Sequence, residues 1–141
     1  MTSQGVYNLF VYGSLRSGFH SHAYEYISRY FILIAEAKVK GKLFDMGNFP
    51  AANPAEDDFY IIGELYHIKN ENDFSWAIGQ LDDYEGVNVE LDEVQMYRRE
   101  ITEAFINGQH FPAWIYWFNG DVSGKPVIAS GDMLEYLRLK K

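Results

Sequence analysis

The segment Leu81-Asp82-Asp83-Tyr84-Glu85 places three carboxylates within five positions. A carboxylate whose surroundings disfavour its charge can carry protons near neutral pH. Wound as a helix at about 100° per residue, Phe74, Ala77, Ile78, Leu81 and Tyr84 fall in one stripe. Glu85 then lies about 45° from the centre of that stripe, on the side of Ile78 and Leu81. Asp82 sits at the margin and Asp83 points nearly opposite, so the projection aims only Glu85 at the core. Burial and the partial negative charge of a helix C-terminus both favour its protonated form. If the helix ends at Tyr84 instead, Glu85 points to solvent, and the projection alone does not choose between the two readings.

A second candidate is the loop Tyr12-Gly13-Ser14-Leu15, which follows the β-branched and aromatic run Val6 to Tyr12. Gly13 permits close backbone approach, and successive N–H groups there can form an anion-binding nest. The loop lacks the Lys-Ser/Thr of a P-loop, and Ser14 lacks the flanking glycines of a nucleophile elbow. Read alone, it is better described as a plain turn than as a ligand loop. Other constellations are weaker. His20 and His22, near Glu25, diverge on a helix at i, i+2 and make a poor metal site. Asp82 with Glu85 has the spacing of a glycosidase-like carboxylate pair, but its apolar, small-loop context argues against that chemistry. Glu64 shares a strand face with Ile62 and Tyr66 and could face either core or water.

The elements that must position these groups follow from periodicity and turn residues. Val6 to Tyr12 reads as a buried strand and His20 to Tyr30 as a helix. Phe31 to Met46 is extended, a bent strand or a strand pair around Gly41. Ala51 to Asp58 is loop-like, and Phe59 to Lys69 is a strand interrupted by Gly63. Asn72 or Asp73 caps a helix that runs to about Tyr84, with Gly86 placed to end it. Gly86 to Gln95 forms an acidic loop. Met96 to Phe105 and Phe111 to Phe118 form a hairpin across Asn107-Gly108. Ser130 or Asp132 caps a short C-terminal helix over Ser130 to Leu139. The order implies an α+β fold with a mainly antiparallel, barrel-like sheet.

At 141 residues the chain fits a single domain, 1–141. Its 17% aromatic content favours a β-rich core. A net charge of −8 would repel a phosphate backbone, so nucleic acid is not an expected partner. No cysteine is present, which excludes disulfides and thiolate zinc sites and is compatible with the cytoplasm. No apolar run approaches the ~20 residues that cross a bilayer, so no membrane partner is expected. The sequence leaves the oligomeric state open.

Ordered blocks carry a resemblance. Phe10-Val11-Tyr12-Gly13-Ser14-Leu15-Arg16-Ser17-Gly18 resembles the opening signature of the γ-glutamylcyclotransferase-like superfamily. Lys42-Leu43-Phe44-Asp45-Met46-Gly47-Asn48-Phe49-Pro50 is similar to its second block. Gly63-Glu64-Leu65-Tyr66, Leu81-Asp82-Asp83-Tyr84-Glu85-Gly86-Val87, Tyr97-Arg98-Arg99-Glu100 and Trp114-Ile115-Tyr116 follow in order, with a Ser130-Gly131-Asp132 tail as in small bacterial members.

The resemblance implies a small mixed barrel with flanking helices, and cyclisation of a γ-glutamyl group to 5-oxoproline with release of a free amine or amino acid. It puts the catalytic carboxylate on Glu85, the substrate loop on Tyr12, Gly13, Ser14 and Leu15, and a pocket tyrosine on Tyr116. It implies a small γ-glutamyl substrate and no metal or organic cofactor. The acidic stretch Asn88 to Gln95 is longer than the family pattern, which leaves the leaving amine open. The competing reading from another class is a non-catalytic module that holds γ-glutamyl ligands unchanged.

Overall fold

A computed structural model describes residues 6–12, 22–47, 50–55, 58–85 and 97–140, with the backbone alone at 22–24, 84–85, 134, 139 and 140. Seven strands and three α-helices are formed by these residues. They are β1 (Asn8–Val11), α1 (His22–Tyr30), β2 (Phe31–Lys40), β3 (Lys42–Asp45), β4 (Pro50–Asn53), β5 (Tyr60–Ile68), α2 (Phe74–Glu85), β6 (Tyr97–Ile106), β7 (Gln109–Phe118) and α3 (Met133–Lys140). Five strands close a barrel in the order β1-β5-β2-β6-β7, and β3 and β4 form a separate two-stranded sheet. All pairings are antiparallel except the seam, where β1 meets β7 in parallel at Leu9 and Trp114. The expected α+β barrel with flanking helices is therefore the observed architecture.

Strand alternation divides the apolar side chains into two clusters. Leu9 and Val11 of β1 join Tyr66, Tyr116 and Phe118 against Ile27 of α1 and Ala77, Ile78 and Leu81 of α2. Phe10 and Tyr12 face the other way, with Val39, Leu65, Ile115, Trp117 and Met133 of α3. Helix α2 thus lies on the face of the sheet that carries Tyr116. A 3₁₀ turn (Glu71–Asp73) leads into it, with the Asn70 side chain accepting from the Asn72 N–H at 3.0 Å. The apolar stripe expected for α2 is the face that Ala77, Ile78 and Leu81 bury.

Two local expectations need correction. Ala51 to Asn53, expected as loop, belong to the strand Pro50–Asn53, which pairs with β3. Pro and Ala have little intrinsic strand preference, so tertiary burial decides here; Ala51 and Ala52 are completely buried. Gly63 does not interrupt β5, which runs unbroken from Tyr60 to Ile68. It is a point of close approach, since a Cβ there would lie 2.2 Å from the Val11 carbonyl oxygen and 2.6 Å from the Phe10 ring.

The remaining elements follow the sequence closely. The chain breaks between β2 and β3 at Gly41, and the β6–β7 hairpin turns on Asn107-Gly108 with φ of 51° and 81°. Asp132 caps α3, its carboxylate accepting from the Glu135 N–H at 3.3 Å.

Candidate functional site

Three elements that carry the expected site residues converge at Tyr116. On the β6–β7 hairpin, Tyr116 stands opposite Arg99, so their side chains share a face. Asp82, in the last turns of α2, meets both. The Arg99 Nε donates to Asp82 Oδ1 at 2.7 Å and Nη2 donates to Oδ2 at 3.0 Å. The Tyr116 hydroxyl donates to the same Oδ1 at 2.8 Å. Planar guanidinium and planar carboxylate are matched in this two-bond arrangement, which fixes orientation as well as distance. The Arg99 guanidinium also lies over the Trp114 ring, 4.3 Å from its centroid, and the Trp114 indole N–H donates to the Val6 carbonyl at 2.9 Å.

The start of the expected ligand loop is tied to the same strand. Tyr12, the first residue after β1, donates from its buried hydroxyl to the Tyr116 carbonyl at 2.5 Å. Tyr12 and Tyr116 are therefore brought together. Gly13, Ser14 and Leu15 lie outside the described residues, as does the acidic stretch Asn88 to Gln95. Glu85 is the last residue of α2, one position beyond the end expected from sequence, and its side chain is not among those described.

Asp82 is where projection and structure part. It is only 6% exposed, although the projection put it at the margin and left Glu85 as the sole inward acid. A periodicity template assigns residues to faces and cannot register a cation that arrives from another element. Arg99, on β6, makes the burial tolerable by satisfying both carboxylate oxygens. Neither Asp82 as a buried anchor nor Arg99 was identified from sequence. Asp83, by contrast, is exposed, on the opposite side as projected. Glu64 resolves to the buried alternative, accepting from the Tyr66 hydroxyl at 3.0 Å.

Helix α2 is also held by α1, where the half-buried Tyr26 donates to the Ala77 carbonyl at 3.1 Å. Burial pushes the Tyr26 phenol up to about 12, the neighbouring Tyr30 adds to the rise, and Arg29 opposes it. The site is thus a firmly mounted helix end beside a buried, hydrogen-bonded tyrosine pair. Such a mount suits a group that must move a proton over a short, fixed distance. No helix among the described residues is long and apolar enough to cross a membrane.

Comparison with known proteins agrees with this architecture. The gamma-glutamylcyclotransferase family protein YtfP of Escherichia coli is 27% identical over 128 residues, covering 90% of this chain and 96% of that protein. The gamma-L-glutamyl-butirosin B gamma-glutamyl cyclotransferase of Niallia circulans is 30% identical over 114 residues, covering 81% of this chain and 68% of that one. Among solved structures, YkqA from Bacillus subtilis superimposes with a TM-score of 0.70 at 28% identity over 95% of this chain. The match spans only 42% of YkqA. An AIG2-like protein from Mus musculus shares the fold at 21% identity, with a TM-score of 0.67 over 89% of this chain and 88% of its own. The family described as gamma-glutamyl cyclotransferase, AIG2-like, matches residues 9–135, nearly the whole length, and the chain belongs to that family.

Proposed function

We propose that the protein converts a γ-glutamyl amine or γ-glutamyl amino acid into 5-oxoproline and a free amine, with Glu85 as general acid and base. The observation that carries this reading is the family match over residues 9–135. The butirosin relative, named for a γ-glutamyl substrate, supports a γ-glutamyl amide as the substrate class. The anchored end of α2 adds support, because a proton carrier must stay within hydrogen-bond reach of its target.

In this reading Glu85 takes a proton from the substrate α-ammonium. The freed nitrogen attacks the γ-carbonyl carbon of the same molecule, and the new C–N bond closes the ring. The C–N bond to the departing amine breaks, and Glu85 returns the proton to that nitrogen. The ring nitrogen sheds its second proton as it becomes the lactam N–H, and that proton also passes to the departing nitrogen, which leaves as an ammonium. Protons then balance, no water is consumed, and the chemistry needs neither metal nor organic cofactor. Because nucleophile and electrophile share a molecule, holding the glutamyl chain folded lowers the barrier further. Backbone N–H groups of Gly13, Ser14 and Leu15 would receive the α-carboxylate or the carbonyl oxygen. On a chain of net charge −8, capture of an anionic group needs such a local nest. The Tyr116 hydroxyl donates its hydrogen bond to Asp82, and in this reading its ring borders the substrate.

The test is 5-oxoproline release from a panel of γ-glutamyl compounds by wild type, Glu85→Gln and Asp83→Asn. Gln keeps the shape of Glu but cannot take the ammonium proton, so turnover should fall by at least ~10²-fold while a ground-state analogue still binds. Asp83→Asn, on the exposed side of α2, should change little. Near wild-type turnover by Glu85→Gln would overturn the assignment. Binding of γ-glutamyl compounds by wild type without product would establish the non-catalytic module instead.

A further inference from the structure

We infer that Arg99 is a positioning residue for Glu85, acting through Asp82; this rests on the proposed role of Glu85. Three observations carry it. First, Asp82 and Glu85 are three residues apart on α2, within one helical turn, so a fixed Asp82 fixes the backbone that carries Glu85. Glu85 ends α2, in a turn whose carbonyls have no partner within the helix and which tends to fray unless held from outside. Second, Asp82 is an acid near the negative end of the helix dipole, and the last turn of α2 contains no basic residue. That placement is unfavourable unless a cation is supplied from elsewhere, and β6 supplies Arg99. Third, the cation is itself immobilised. Its two bonds to Asp82 are complemented by stacking on Trp114, and Tyr116 fills a further acceptor position on Asp82.

The arrangement is a clamp from the hairpin to the helix end. Its rigidity comes from the planar fork, which a lysine of equal charge cannot reproduce. A shift of about 1 Å at a reacting group can cost on the order of 10²-fold in rate, so a loosened fork should appear in turnover rather than in affinity. A purely structural ion pair would behave differently. Its loss would lower the melting temperature and leave the folded fraction with normal kcat.

The experiment uses the full chain and the best γ-glutamyl substrate from the panel, well below each variant's melting temperature. Arg99→Lys is expected to lower kcat by about 10-fold or more, with KM changed less than about threefold. Arg99→Ala is expected to lose more, and guanidinium ion at millimolar concentration should restore part of its kcat, whereas ammonium ion at equal ionic strength should not. If Arg99→Ala fails to fold, Asp82→Asn replaces it; this isosteric change weakens the fork and should reproduce the kcat loss of Arg99→Lys. Wild-type kcat in Arg99→Lys, a change confined to KM, or rescue by ammonium as good as by guanidinium would each overturn the inference. Glu85→Gln measured alongside separates the two failures. If it is inactive while Arg99→Lys turns over normally, only the clamp is wrong. If it retains turnover, or wild type makes no 5-oxoproline, the role of Glu85 falls and the clamp's catalytic purpose falls with it.

Discussion

The Tyr12 hydroxyl reaches across the barrel seam to the Tyr116 carbonyl, joining the residue that opens the expected ligand loop to the strand that abuts α2. The bond is buried, so losing the donor removes an interaction made in an apolar setting. Tyr12→Phe keeps the ring and removes the bond. It is expected to cost about 1–3 kcal/mol, a fall of several degrees in Tm, and to raise KM on the panel substrate. Thermal unfolding and steady-state kinetics check both; unchanged values in both would show that the bond holds neither the fold nor the loop.

Tyr116→Phe removes one of the three hydrogen bonds on Asp82 and leaves the two from Arg99. Because the fork survives, the expected stability cost is modest, about 0.5–1.5 kcal/mol. Substrate affinity is expected to weaken beyond what that loss explains. Unchanged kinetics with a lowered Tm would assign the hydroxyl to packing alone.

Glu64 is buried and accepts from Tyr66, the largest of the fully buried side chains. Tyr66→Phe should cost about 1–3 kcal/mol by denaturant unfolding, since a buried carboxylate loses a donor. Pairing it with Glu64→Gln should cost less than the sum of the two single changes. Strict additivity would show that the two side chains do not depend on one another.

Tyr26 gives a pH prediction. Its phenol is raised to about 12, first by burial and then by Tyr30. The unfolded chain therefore ionises this group first, near the ordinary tyrosine value of about 10. Stability from Tyr26 is fully present below pH ~10 and is lost as pH rises from ~10 toward ~12. Tyr26→Phe should flatten the stability profile in that window relative to wild type. Identical profiles would disprove the coupling.

Gly131 sits at φ +70° with the Tyr60 carbonyl oxygen 1.8 Å from where a Cβ would stand. Its carbonyl also accepts from the Ile62 N–H at 2.7 Å, tying the approach to α3 onto β5. Gly131→Ala must displace backbone and adopt a left-handed conformation, so a loss of at least about 2 kcal/mol is expected. A Tm within a degree or two of wild type would refute the argument.

Much of the fold was legible because its signals are local. Asn107-Gly108 forces the hairpin through its own backbone preferences, Gly41 breaks β2 from β3, and the spacing of Phe74, Ala77, Ile78 and Leu81 sets α2. What escaped is contributed by distant chain. Ala51 and Ala52 become strand because β3 lies beside them. Gly63 is needed because Phe10 and Val11 press against it, which the sequence of β5 by itself does not reveal. Asp82 is buried because Arg99, seventeen positions later, is delivered to it by another element. Periodicity detects faces; it does not detect the partner that makes a charged face habitable.

The parallel seam between Leu9 and Trp114 bears on how the protein is made. As the chain emerges during synthesis, β1 has to wait for β7, about a hundred residues later, before the barrel can close. Tyr12 and the helix that ends in Glu85 exist before that event, but the Tyr116 carbonyl and the Arg99 guanidinium that hold them arrive only with the last two strands. Competence to act should therefore appear in a single late step rather than accumulate. A refolding experiment that follows substrate-analogue binding beside helix formation should show binding lagging behind helix, and arriving with the closure of the last strand.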